Sequence, residues 1–178
     1  MKKTPILLLL FLTVVTAKSQ ENYIRISGEG GLVLNSERDK KTGLGGTITW
    51  LTQDNLISLN PYNYITLSLK GFNNPYGDGK LLSSMFNDKD DAFNYIIPLA
   101  GYRITQTGVD NGFYIEPRIG TVLGANYSGF AFAPLAGFAY RNFDFGVFCD
   151  MGFGGKNSAM LKKDFFTLGG SIGYNIGL

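Results

Sequence analysis

Beyond its first twenty residues the chain carries no stretch with apolar positions at the three-to-four spacing of an amphipathic helix, but many in which apolar and polar residues strictly alternate. The clearest is the last. Phe166, Leu168, Ile172, Tyr174, Ile176 and Leu178 interleave with Thr167, Gly169, Ser171, Gly173, Asn175 and Gly177. The same two-faced pattern recurs in Ile24–Leu34, Leu44–Trp50, Tyr62–Phe72, Phe113–Leu123, Phe130–Tyr140 and Phe143–Phe153, and more weakly in Phe93–Thr105. Bounded by Gly, Asn, Asp and Pro, these segments predict an all-β chain of eight strands.

The strands approach the roughly nine to eleven residues that a tilted strand needs to cross a bilayer. Alternation also suits a soluble barrel or sandwich, so the content of the polar face matters. Its charged members are Arg25, Glu29, Lys70, Glu116, Arg118, Asp144 and Asp150, joined by Arg103 if Tyr102 faces out. Gly45, Gly120, Gly137, Gly146, Gly152, Gly169, Gly173 and Gly177 share that face. A solvent-facing surface has no use for so many glycines, whereas a narrow lumen needs small residues to leave room for large ones. Aromatic residues of the opposite register gather near the strand ends: Trp50, Tyr102, Phe113, Tyr140, Phe143 and Tyr174 at one level, and Phe130, Phe153 and Phe166 at the other. Aromatic belts of this kind mark the two interfaces of a membrane barrel.

The N-terminus reads differently. Met1-Lys2-Lys3 and the apolar run Ile6–Val15 form the basic and hydrophobic regions of a signal peptide, and Ala17 and Ser19 suit a cut before Gln20. Residues 1–19 are therefore expected to be a signal peptide and 20–178 the barrel domain. Removing the leader takes away three lysines and leaves 13 basic and 14 acidic residues, so no basic surface for nucleic acid is expected.

A signal peptide, eight alternating segments and a last strand, Phe165–Leu178, that runs to the end of the sequence together resemble the small eight-stranded outer-membrane barrels of the OmpA-transmembrane-domain and OmpX-like type. The resemblance spans Gln20–Leu178 and departs from the family in closing on Leu178, with Tyr174 the nearest aromatic in register. It implies a transmembrane up-and-down antiparallel β-barrel in the bacterial outer membrane, inserted by the barrel-assembly machinery, with both ends of the barrel on the periplasmic side. It implies no particular activity.

In that orientation Thr52–Pro61, Thr105–Gly112 and Arg141-Asn142 are periplasmic turns, and the longest outer loop is Asn73–Ala92. Its apolar residues Tyr76, Leu81, Leu82, Met85 and Phe86 are candidates for contact with a partner or for covering the barrel mouth. The neighbouring Asp88-Lys89-Asp90-Asp91 lacks the glycine and distal glutamate of a calcium loop and reads as a solvated acidic run. With no histidine in the chain, Ser-His-Asp and Cys-His catalysis and the usual zinc sites are excluded. Cys149 falls on the outward register, and Glu29 and Glu116 fall inside the expected barrel, so no enzyme and no cofactor are expected.

Inside, four cations face four carboxylates, which predicts one lumen ion-pair network: Arg103 diagonally across from Glu116, joined by Arg25 and Asp144. The expected role is structural, or surface interaction through the outer loops. Two alternatives stay open: a narrow channel for small solutes, and a soluble periplasmic lipocalin-like binding protein whose apolar face would turn inward.

Overall fold

The computed structural model describes residues 21–34, 42–54, 57, 60–75, 92–124, 127–154 and 164–178. The expected signal peptide and the loop carrying Tyr76, Leu81, Leu82, Met85 and Phe86 lie outside the described residues. The strands are β1 (Asn22–Val33), β2 (Thr42–Gln53), β3 (Tyr64–Pro75), β4 (Ala92–Thr105), β5 (Asn111–Glu116), β6 (Arg118–Gly124), β7 (Tyr127–Phe132), β8 (Leu135–Tyr140), β9 (Phe143–Gly154) and β10 (Asp164–Gly177). Every pairing is antiparallel, β1 to β4 follow one another in order, β9 pairs with β10, and β1 closes on β10 from Tyr23↔Gly177 to Val33↔Thr167. The result is a closed, eight-staved, up-and-down antiparallel barrel, in which β5 with β6 and β7 with β8 each form one stave.

The sequence pattern reads those two staves as uninterrupted. The structure breaks each at a proline, for a simple reason: proline has no N–H to give the ladder. Yet the register is the same on both sides of each break, with Ile104↔Ile115 and Gly101↔Arg118 on one flank and Glu116↔Leu135 and Ile119↔Phe132 on the other. The breaks are thus lost bonds and not bulges, and Pro117 falls level with Pro134. Surviving bonds hold the wall: Tyr102 N–H donates to Pro117 O at 3.1 Å, Ala133 N–H to Arg118 O at 2.8 Å and Cys149 N–H to Pro134 O at 3.1 Å.

Closure separates the two faces completely. Arg25, Ser27, Glu29, Thr47, Thr49, Ser68, Lys70, Arg103, Glu116, Arg118, Asp144 and Asp150 are buried inside. Ile26, Ile48, Leu69, Ile96, Ile119, Phe145, Val147, Leu168 and Ile172 project outward and are exposed. This inverts the usual inside-out partition of a globular domain. One end carries the short connections, including the Arg141-Asn142 hairpin turn, whose two residues take φ of 48° and 68° as a two-residue turn of this hand requires. It is called the turn end below, and the opposite one the loop end.

Candidate functional site

The lumen is where the chain concentrates its unusual chemistry, and it is built in layers. At the turn end Leu51, Tyr64 and Val109 are buried together, with Tyr23 packed on them. Polar bonds lock this closure: Asn60 donates to Thr105 O at 3.1 Å, Asn63 Oδ1 accepts from Thr105 N–H at 3.2 Å, and the Tyr102 hydroxyl donates to Asp54.

Next along the strands comes a cluster of two arginines and two carboxylates. Arg25 reaches Glu116 Oε2 at 2.9 Å and Asp144 Oδ2 at 3.0 Å, while Arg103 reaches Asp144 Oδ2 at 2.6 Å. The Arg103 guanidinium also lies 3.8 Å over the Tyr114 ring, so a cation–π contact holds the plane of the fork. All four charged side chains are at most 3% exposed. At such burial each charge is tolerable only because its partner is in hydrogen-bond contact, and removing one partner of such a pair typically costs about 3 to 5 kcal/mol.

A second cluster sits nearer the loop end. Lys70 Nζ is 2.6 Å from Glu29 Oε2 and 2.6 Å from Asp150 Oδ2. Thr47 donates to Glu29 at 2.6 Å and the Tyr95 hydroxyl to Asp150 at 2.9 Å, which spreads the two negative charges over further donors. Phe148 lies below the ammonium, with 3.5 Å from Nζ to its ring centroid. Above, Phe72 stacks on Tyr95 at 5.4 Å and Tyr95 on Phe165 at 4.7 Å, within an apolar cluster that includes Ile97, Leu99, Val122 and Leu135.

The expectation of one continuous network is therefore corrected. Seven of its eight members divide into Arg25, Arg103, Glu116 and Asp144 on one side and Glu29, Lys70 and Asp150 on the other. The register places Arg103 level with Glu116, yet Arg103 turns to Asp144 and leaves Glu116 to Arg25. Arg118 joins neither through a hydrogen bond. Its Nε donates to Ala133 O at 2.7 Å, beside the interruption at Pro117 and Pro134, so this buried guanidinium repairs the wall. Glu29 and Glu116 lie in different clusters, each on its own cation.

Of the proposed aromatic belt, Phe113, Tyr140, Phe143 and Tyr174 are exposed on the outer face, and Phe143 packs edge-on against Tyr174 at 5.0 Å. Trp50 and Tyr102 are half-buried, Tyr102 because its hydroxyl is held by Asp54. Seven of the eight glycines assigned to the polar face would direct a Cβ into side chains or backbone of the barrel, whereas Gly177 lies exposed at the rim. The inward aromatics Tyr95, Tyr114 and Phe148 escape a reading that follows only charges. They share the registers of Arg103, of Glu116, and of Asp144 with Asp150, so strand parity alone would have found them.

Comparison with known proteins finds no matching family model, no similar curated protein and no similar solved structure.

Proposed function

We propose that the chain is an outer-membrane β-barrel with a non-enzymatic role, either structural or as a carrier of surface-interaction loops. The observation that carries this reading is the direction of the two faces: Arg25, Lys70, Arg103 and Arg118 are at most 1% exposed while Ile48, Leu69, Val147 and Ile172 are each more than half exposed. A barrel wall that turns its apolar side chains outward on every stave is stable where its surroundings are themselves apolar, and closure leaves no unpaired edge to satisfy there. Outer-membrane lipid and, during insertion, the barrel-assembly machinery are the partners this role calls for. A partner for the outer loops is the remaining one.

A lipocalin-like container would need the apolar face around a central ligand, the opposite of the arrangement found. A channel would need an unobstructed lumen. Here two charged clusters and the Phe72–Tyr95–Phe165 stack occupy it, which favours the structural reading.

The test is fractionation followed by electrophoresis with and without boiling. Extraction from salt-washed membranes by detergent alone, with a folded band that shifts on boiling, is the expected result. Recovery of the mature chain in the soluble fraction would overturn it. Purified barrels in a planar bilayer should show small conductance, and large, steady, ion-selective openings would put the channel reading in its place.

A further inference from the structure

Between the two charged clusters the lumen is lined by small residues on three adjacent staves. On β1, Ser27 separates Arg25 of the turn-end cluster from Glu29 of the loop-end one. Register sets Ser171 level with Glu29 on one flank and with Gly146 on the other, and Gly173 level with Ser27 and with Asp144. This layer is packed less tightly than its neighbours. Ser27 and Ser171 each keep 9% of their surface open and Glu29 keeps 6%, whereas Arg25, Asp144, Lys70 and Asp150 keep 2% or less.

A side chain from another stave ends in the same layer. Tyr114 lies with its ring against the Arg103 guanidinium, and its hydroxyl is buried with no hydrogen-bond partner among the described residues. A Cβ on Gly146 would stand 3.2 Å from that hydroxyl and 2.9 Å from Ser171 Oγ, and one on Gly173 would stand 2.6 Å from Ser27 Oγ. The two glycines thus make room for three hydroxyls side by side. A buried hydroxyl is costly to leave unbonded, and where no protein group bonds it ordered water does.

We propose that this layer is a hydration site, in which ordered water held by Tyr114, Ser171 and Ser27 bridges the two charged clusters. Charge decides the class of occupant. Among the eight inward charges of the strands, Arg25 and Arg103 balance Glu116 and Asp144, while Lys70 and Arg118 balance Glu29 and Asp150. A sodium or chloride ion would therefore leave a closed, poorly screened lumen with one uncompensated charge. Water is neutral, donates and accepts as the hydroxyls do, and makes about three hydrogen bonds in such sites. Larger polar solutes are kept out by the Phe72–Tyr95–Phe165 stack on one side and by Leu51, Tyr64 and Val109 on the other. Bound there, water fixes the Tyr114 hydroxyl, and with it the ring on which Arg103 rests, beside the open edge of Glu29. The inference concerns the lumen alone and does not rest on what surrounds the outer wall.

The test is a crystal structure of the folded barrel at a resolution that shows ordered water, with parallel soaks in rubidium bromide. Water density within hydrogen-bond reach of the Tyr114 hydroxyl and Ser171 Oγ is expected, without an anomalous peak from either ion. A rubidium or bromide peak at that place would overturn the inference, and so would a Tyr114 hydroxyl bonded directly to Ser171 with no density between them. Tyr114→Phe supplies a second readout, because it keeps the ring against Arg103 and removes only the hydroxyl. Loss of a water-bonded hydroxyl should lower the urea midpoint; a midpoint that is unchanged or raised would show that the hydroxyl was unbonded and would sink the proposal. A barrel recovered in the soluble fraction would overturn the membrane reading and goes through the same two measurements.

Discussion

Arg25 on the first stave and Glu116 on the fifth meet across the lumen with their side chains 2.9 Å apart, although they lie 91 residues apart in the chain. The same guanidinium holds Asp144 at 3.0 Å, so one side chain ties three staves together at the turn end. Closure of the barrel and neutralisation of its interior are thus one event.

Glu116→Ala should destabilise the barrel by about 3 to 5 kcal/mol, because it leaves Arg25 buried with a single carboxylate that it already shares with Arg103. Urea unfolding in detergent, followed by circular dichroism, measures it. A loss below about 1 kcal/mol would mean that the cluster relaxes or hydrates freely.

Lys70→Met removes the only cation among the described residues that contacts Glu29 and Asp150, and should cost a similar amount. Adding Glu29→Gln and Asp150→Asn to that variant should recover much of the loss, since no buried charge then lacks its partner. Thermal midpoints of the boiling-dependent gel shift for the single and triple variants decide it. A triple variant less stable than the single one would contradict the electrostatic account.

Gly120→Ala and Gly28→Ala make the same chemical change with opposite expectations. A Cβ at Gly120 collides with the Pro98 carbonyl oxygen, which belongs to the wall and cannot swing aside, whereas a Cβ at Gly28 meets nothing within 4 Å. The first should lose about 1 to 3 kcal/mol, as overpacked sites do, and the second should stay within about 0.5 kcal/mol of wild type. Parallel urea titrations of the two variants are the measurement.

The orientation is tested on intact cells with an added protease. Cleavage is expected at Lys80 or Lys89 in the Asn73–Ala92 loop, with the Arg141-Asn142 turn left whole, because the proposed orientation puts that turn at the periplasmic end and it is tied by Arg141 N–H to Asp110 O at 2.8 Å and Asn175 N–H to Asn142 O at 2.8 Å. Cleavage at Arg141 alone would invert the barrel.

Much of this architecture was legible along the chain because a strand's side chains alternate with a period of two, so each residue's face is a local property. Parity alone separated Arg25, Glu29, Lys70, Glu116, Arg118, Asp144 and Asp150 from Ile26, Ile48 and Val147, and the arrangement of their faces followed. Which inward charges meet is not local. It depends on how far each stave is staggered around a closed wall and on where neighbouring rings leave room. Arg103 bonds Asp144 in spite of lying level with Glu116, Lys70 holds a separate cluster beside Phe148, and Arg118 turns to a backbone carbonyl next to the Pro117 and Pro134 break.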